Sequence, residues 1–342
     1  MKDILQRLTQ RQDLTPEQAY DVIRAIHAGE VSDVQIAGFL VSLLMKGPTV
    51  TEIAAIARAM RDHCDRIMPR VAGPLIDTCG TGGGLSTFNI STGVAIVAAG
   101  AGIAVAKHGS RSISSKSGSA DVLEALGVEI NLGPREVERL ISDVGIGFMY
   151  APLFHPVMHR VLPPEQALGI KTIFYTIIGP LINPAGVKRH ILGVYRPELV
   201  DVVAQVAARL DYDHTLIVHG LDGLDEISLL GPTRIAEVKG REIRTFEVTP
   251  EDFGLPRARL EDIATGEPAV NARILLDIFH GRDRGHRRNA VVLNAAGALV
   301  VSGLARDLHE VVRLAEQVID DGRAARKLDE LIAASRALRR AS

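Results

Sequence analysis

Cysteine is scarce, present only as Cys64 and Cys79, and two cysteines are too few for a disulfide framework. No early segment runs from positive charge into an apolar stretch, so no secretory signal is read, and the two features together predict a cytoplasmic protein. Excess charge is missing too. The 39 basic and 41 acidic residues leave a formal net charge of −2, which gives no global field to gather nucleic acid or an anionic membrane. Any anion site must therefore be local. The longest apolar stretches, such as 94–106, are shorter than a bilayer crossing and rich in glycine and alanine, which predicts a buried helix and no membrane span. Fixed-period repeats and low-complexity tracts are also absent. What is present is length and hydrophobicity: 342 residues, 46% of them hydrophobic, suffice for a large core in two domains or in one domain with a smaller appendage.

The chain changes texture near Pro74. Before it, Thr15 stands as a helix N-cap ahead of Pro16 and Glu17, and Ile36, Phe39, Leu40 and Leu43 recur at helical spacing, so residues 1–70 predict a small helical domain. Helices from about 155–185 are expected to join it. After it, Leu75 and Ile76 open a short strand that breaks into a glycine-rich loop and then an Ala/Val-rich helix. The theme recurs with a strand at 102–106, a loop at 107–118 and a helix at 120–126. It recurs again with strands at 191–195 and 215–218 around a helix at 197–210. Such alternation predicts an α/β domain over 71–342 with a mainly parallel sheet flanked by helices. Segments 234–238 and 242–247 flank Lys239-Gly240 and predict a hairpin, hence an antiparallel edge. The residues after Asp307 read as two closing helices without chemistry.

Three segments carry chemistry. In Cys79-Gly80-Thr81-Gly82-Gly83-Gly84, between a strand and a helix starting near Asn89-Ile90-Ser91-Thr92, the glycines let backbone amides approach an anion while the helix start adds its positive end. A tight turn would use the same glycines. The second loop sets Lys107, His108, Arg111 and Lys116 among serines, a dense array of donors suited to phosphate oxygens. Two such loops on successive strands imply a ligand with phosphate at both ends. Lastly, Asp225-Glu226 follows the strand at 215–218; adjacent carboxylates at a strand end suit magnesium shared with phosphate oxygens, although such pairs are commonly plain surface.

Taken in order, these segments resemble the anthranilate phosphoribosyltransferase family, whose fold is shared with class II nucleoside phosphorylases. The resemblance runs nearly end to end: Gly29-Glu30-Val31-Ser32, Gln35-Ile36-Ala37, Gly80 onward to Thr92, Lys107 onward to Asp121, Ala151-Pro152, His155-Pro156 with Met158, Gly179-Pro180-Leu181-Ile182-Asn183-Pro184, Asp225-Glu226 and Asn294-Ala295-Ala296. It implies that the loops hold phosphoribosyl diphosphate, that Mg2+ is served by Ser91, Asp225 and Glu226, and that the helical domain forms a homodimer. Carried residue by residue, donor contacts fall on Gly80, Gly83, Thr87, Asn89, Ser91, Thr92, Lys107, His108, Gly109, Arg111, Ser115 and Ser119. Acceptor contacts fall on Gly80, Ser110, His155 and Glu165. The implied reaction moves ribose 5-phosphate to the amine of anthranilate, a step of tryptophan biosynthesis, or of a related aromatic amine, and releases diphosphate.

The chain also departs from the family's pattern. Gly84 stands where the family loop has Asp, in a loop one residue short; Ser110 replaces an Asn after Lys-His-Gly; and Glu165, in Pro163-Pro164-Glu165-Gln166, replaces an Arg. A carboxylate at 165 facing the acceptor would repel anthranilate by about a kilocalorie per mole or more at ~4 Å. If it faces the pocket, Glu165 predicts an acceptor without a carboxylate; if it does not, another base such as Arg160 or Lys171 is expected to take the carboxylate. Two rival functions remain open to sequence: a class II nucleoside phosphorylase, and a non-catalytic relative binding nucleic acid through Arg282, Arg284, Arg287 and Arg288. Asn89-Ile90-Ser91-Thr92 and Asp225-Glu226 favour the diphosphate donor over the first. The balanced net charge disfavours the second.

Overall fold

The structure, a computed structural model, describes residues 1–112, 116–305 and 308–341. The chain opens with four helices, α1 (Lys2–Thr9), α2 (Pro16–His27), α3 (Asp33–Lys46) and α4 (Val50–Asp62). Local chemistry sets their starts. Thr15, Ser32 and Thr49 each close a capping box, with Gln18, Gln35 and Glu52 reaching back to the cap amide. Ile36, Phe39, Leu40 and Leu43 all turn inward, which is why α3 could be read from spacing alone.

The second region follows as β1 (Leu75–Asp77), α5 (Ile90–Gly100), β2 (Ala104–Gly109), α6 (Ser119–Leu126), α7 (Pro134–Val144), β3 (Ile146–Tyr150), α8 (Pro156–Leu168), a π-helical turn at Phe174–Ile178, and the short α9 (Gly179–Leu181). Then come β4 (Arg189–Gly193), α10 (Glu198–Arg209), β5 (His214–Gly220), β6 (Thr233–Lys239), β7 (Glu242–Val248), α11 (Pro268–Phe279), α12 (His286–Ser302), α13 (Leu308–Asp320) and α14 (Arg323–Ala341). One sheet has the order β3-β2-β1-β4-β5-β6-β7. Strands β3 through β5 are parallel, and β6 and β7 extend the sheet antiparallel. The order reverses at β1, with β2 on one side and β4 on the other. Loops leaving the carboxyl ends of β1, β2 and β4 therefore converge on a crevice at that switch point.

Two cores sandwich the sheet. Helices α5, α12, α13 and α14 cover one face, with α5 and α12 buried almost all round, as an Ala/Val-rich helix between a sheet and other helices must be. Helix α10 covers the opposite face, and its core is continuous with that of the first four helices through α4. Helix α8 lies against α2 and α3, so 156–168 belongs spatially with the N-terminal helices. Strand β3 and helix α7 were not anticipated. The sequence of β3, Ile-Gly-Phe-Met-Tyr, carries a glycine and is followed at once by Ala151-Pro152, which hides it among turn signals. Among the described residues no helix is long and apolar enough to cross a membrane.

Candidate active site

Asp77, the last residue of β1, is wholly buried and organises the crevice. Its Oδ1 accepts from the backbone amides of Thr78 (2.7 Å), Cys79 (3.1 Å) and His108 (3.2 Å). Its Oδ2 accepts from Asn183 Nδ2 at 2.7 Å, and that amide also donates to Ala106 O at 2.9 Å. One carboxylate thus ties together the roots of both sequence-predicted loops and the turn at 179–184. Motif reasoning missed Asp77. The signal available was a carboxylate closing an apolar strand just ahead of glycines.

The glycine loop is anchored along its length. Gly82 and Gly83 take positive φ (63° and 90°), Thr81 N donates to Gly193 O (2.8 Å), and Leu85 N donates to Gly223 O (3.1 Å). A Cβ at Gly193 would lie 1.6 Å from Asp225 O, so only glycine lets the end of β4 meet the Asp225 segment. Helix α5 begins at Asn89 without a side-chain cap; the Ile90 amide donates to Phe88 O (2.7 Å) and the Ser91 amide reaches Glu226, so the helix start is tied to the Asp225–Glu226 segment. Lys107, on β2, is 2% exposed, and its Nζ lies 3.2 Å from Thr78 Oγ1 and 3.4 Å from Ser91 Oγ. No carboxylate pairs with it among the described residues. A buried ammonium held only by hydroxyls is costly until an anion joins it.

Asp225 and Glu226 face the same space. Burial raises the pKa of both; Asp225 adds to the rise at Glu226, while Lys107 and the Ser91 amide oppose it. Asp225 accepts from its own amide and that of Gly82, so the pair is tied to the glycine loop. From behind, Asn294 Oδ1 accepts from Ile227 N (2.8 Å) and its Nδ2 donates to Ile227 O (2.9 Å), clamping the segment to α12. Two desolvated, mutually repelling carboxylates beside the Ser91 hydroxyl fit a divalent cation, which would relieve the repulsion. Among the described residues no cluster of three or more His, Cys, Asp or Glu is arranged to hold a metal. Oxygens beyond the two carboxylates would therefore come from Ser91, solvent and a phosphate ligand.

These groups open on a cavity of about 870 Å3 that runs from Asp225 and Glu226 along both loops to Met158, Leu162, Lys171 and Tyr175. Gly80, Gly83, Thr87, Asn89, Ser91, Lys107, His108, Gly109, Ser110, Arg111 and Ser119 all line it. Several expected contacts differ in detail. Thr92 does not line the cavity: it faces the core, with Oγ1 buried and unpartnered. Asn89 spends its amide on structure, donating to Ser117 O (3.0 Å) and accepting from Ser117 Oγ (3.0 Å) and Asn271 Nδ2 (2.9 Å). The Arg111 guanidinium is held by Glu124 and Asp121 across an exposed surface, and both carboxylates raise its pKa. Ser115 lies outside the described residues.

The acceptor expectations need larger correction. Glu165 is 3% exposed and does not line the cavity; its Oε1 accepts from Thr172 N at 2.5 Å. The carboxylate has turned inward to cap a helical segment, which removes the repulsion on which a carboxylate-free acceptor was predicted. His155 lies behind His108, with Nε2 to Nε2 at 3.0 Å, and only His108 reaches the cavity. Burial holds both rings neutral, lowering His108 to about 4 and His155 well below its usual value. Gly84 also has a reason. A Cβ there would sit 2.8 Å from Gly223 O and 3.0 Å from Asp225 Oδ1, so this shortened loop leaves no room for an aspartate.

The four arginines that would serve a nucleic-acid-binding relative are largely neutralised. Arg282 pairs with Asp277 (2.6 Å), Arg287 stands 3.9 Å from Asp283, and the nearly buried Arg288 bridges Glu316 and Asp320. Arg284 turns to Gly281 O.

Known proteins carry the same architecture. Residues 72–325 match the glycosyl transferase family α/β domain, and residues 2–64 match its helical bundle domain. The anthranilate phosphoribosyltransferase of Acetivibrio thermocellus is 45% identical over 97% of this chain and 96% of its own length. Among solved structures, that of Thermus thermophilus superposes with a TM-score of 0.91 at 42% identity, over 98% of this chain and 99% of its own. That of Saccharomyces cerevisiae, in complex with phosphoribosyl diphosphate and magnesium, gives 0.89 at 30%, over 98% and 97%; the yeast protein is also known with 4-fluoroanthranilate. The chain is a pentosyl-transferring enzyme and belongs to the anthranilate phosphoribosyltransferase family.

Proposed function

We propose that the cavity takes phosphoribosyl diphosphate at its charged end and an aromatic amine of the anthranilate class at the other, and that the enzyme transfers ribose 5-phosphate to the amine with release of diphosphate. The observation that carries this reading is the buried Lys107 ammonium, held by the Thr78 and Ser91 hydroxyls, on the same cavity as the glycine loop and the Asp225–Glu226 pair. A buried ammonium and two half-buried carboxylates with no cationic side chain paired to them, on one cavity, suit a polyanion that arrives with a cation. Backbone amides of the 80–84 loop would hold the diphosphate, with Lys107 against it.

Asp225, Glu226 and Ser91 would hold magnesium, which when bound neutralises the departing diphosphate. The chain's residues do the rest by placement. Transfer breaks the bond from the anomeric carbon to the diphosphate oxygen and forms one to the amine nitrogen, with the sugar passing through oxocarbenium character. Donors fixed on the leaving group lower that barrier without a covalent nucleophile. His108, held neutral, offers a hydrogen-bonding ring and not a second cation.

We further infer a homodimer through the N-terminal helices. Val34, Val41 and Met45 are 82%, 37% and 68% exposed and recur on one face of α3, an apolar stripe that a lone helical domain would leave in water. Glutamate at Val34 and Met45 should then yield monomers in sedimentation; an unchanged species would contradict the interface. Cys64 and Cys79, both free, suit a reducing cytoplasmic setting.

The test of function is magnesium-dependent consumption of phosphoribosyl diphosphate with anthranilate, following the N-ribosylated product by mass. Turnover is expected. Phosphate-dependent release of base from nucleosides, without use of the diphosphate donor, would contradict it.

A further inference from the structure

The cavity wall near Tyr175 carries a cation that, among the described residues, no carboxylate or hydrogen-bond acceptor holds. Among the described residues, four lysine and arginine side chains line the cavity: Lys107, Arg111, Lys171 and Arg196. Lys107 is held by the Thr78 and Ser91 hydroxyls. Arg111 is paired with Asp121 and Glu124, and Arg196 with Glu198 and the Tyr195 hydroxyl. Among the described residues Lys171 has neither a carboxylate nor a hydrogen-bond partner; its Nζ stands 5.0 Å over the centre of the Tyr175 ring. The cavity's only lining carboxylates among the described residues, Asp225 and Glu226, belong to the donor end. An anionic acceptor thus meets one unspent cation and no opposing charge.

The position of Lys171 is built, not incidental. It sits between Gly169, which ends α8 in the left-handed conformation, and Thr172, whose amide is capped by Glu165. Thr172 O then accepts from the amides of Tyr175 and Thr176 (both 3.1 Å) and from Thr176 Oγ1 (2.9 Å), starting the π-helical turn Phe174–Ile178. A π-helical turn carries one residue more per hydrogen-bonded ring than an α-helical one, so it swings the side chains around it out of α register. Here Tyr175 comes to lie at the cavity, beneath Lys171. Glu165 stabilises this arrangement as a carboxylate at the amino end of a helical segment, where the exposed amide favours negative charge.

Building on the transferase reading above, we propose that Lys171 is the specificity-determining residue for the acceptor's carboxylate, with Tyr175 fixing its ammonium and the buried Glu165 as the positioning residue for the turn that carries both. The residue that would have repelled the substrate's charge is instead part of the scaffold that presents the opposite charge. A ring-attached carboxylate is the acceptor feature selected. Amines without it forgo that contact.

The experiment compares kcat/KM for anthranilate and for aniline in the full-length enzyme with magnesium, for wild type, Lys171→Met, Lys171→Arg, Glu165→Ala and Glu165→Gln. Lys171→Met should raise KM for anthranilate about 10- to 100-fold, the worth of one charge-assisted hydrogen bond. The preference for anthranilate over aniline should collapse by the same factor, while KM for phosphoribosyl diphosphate holds. Lys171→Arg should restore most of the preference. Glu165→Ala should raise the anthranilate KM with less change in kcat, and Glu165→Gln, which keeps an oxygen for the Thr172 amide, should rescue it. If Lys171→Met changes both acceptors equally, or neither, the proposal fails while the transferase reading stands. Wild-type turnover of aniline but not of anthranilate would overturn the proposal and the anthranilate-class acceptor together.

Discussion

The two ends of the cavity are built by different means. The end proposed for the donor is made of contiguous motifs on strand ends, rigidly cross-linked by Asp77, Asn183, Gly193 and Asn294 and lined by charged groups. The end proposed for the acceptor is made by α8, a left-handed glycine and a π-helical turn, with one exposed ammonium over a tyrosine. A diphosphate demands many donors at fixed points, which only a strand-end framework supplies; an aromatic amine demands a wall and one orienting charge. The first can be altered only by breaking the framework, the second by a few substitutions in a turn.

The largest effect should follow removal of the buried cation. Lys107→Met is expected to lower kcat/KM about 100- to 1000-fold, on the scale of one preorganised donor to a leaving anion, with the loss falling on the donor's side. An equal effect on both substrates' KM would erase the distinction between the two ends. Asp77→Asn should destabilise the fold by about 2–3 kcal/mol, because an amide nitrogen would face either Asn183 or three backbone amides, leaving donors buried against donors. Urea unfolding measures this. Asn294→Ala should cost about 2 kcal/mol by leaving Ile227 N and O without their partner. It should also raise the magnesium concentration needed for half-maximal rate, which Lys171 variants should not.

The raised pKa of Glu226 supplies a pH test. A carboxyl whose folded pKa lies above its unfolded value binds more protons when folded, so it costs stability as pH rises through that window, and the cost is full above the folded pKa. Without magnesium, Glu226→Gln should therefore melt higher than wild type at neutral pH, with the gain fading as pH falls to the ordinary carboxylate range. With magnesium saturating, wild type should regain the lead. The smallest effect is expected at the far surface: Arg282→Ala with Arg284→Ala should leave transfer rates unchanged, and neither protein should be retained on single-stranded nucleic acid at moderate salt.

Sequence exposed most of the charged end of the cavity because those residues are neighbours along the chain. Gly80, Ser91, Lys107 and the Asp225-Glu226 pair arrive at one cavity as their loops and strand ends implied. The alternating strands gave the parallel sheet, and Lys239-Gly240 its antiparallel hairpin. Strand β3 stayed hidden behind its glycine and the turn signals after it. At the acceptor end sequence misled, because residue type does not say which way a helical side chain points. Glu165 sits on α8 at a position that faces inward, and its partner, the Thr172 amide, exists only once the chain has reversed at Gly169. Thr92 likewise follows Ser91 by one position and so takes the core face of α5 where Ser91 takes the cavity.

The most direct measurement is the pair of Michaelis constants, for phosphoribosyl diphosphate and for anthranilate, in wild type, Lys107→Met and Lys171→Met. Separate reading of the two ends predicts a crossed pattern, with Lys107→Met moving the donor's constant and Lys171→Met the acceptor's. If each substitution moved both constants together, or if Lys171→Met moved the donor's alone, the division of the cavity into a donor end and an acceptor end would be contradicted.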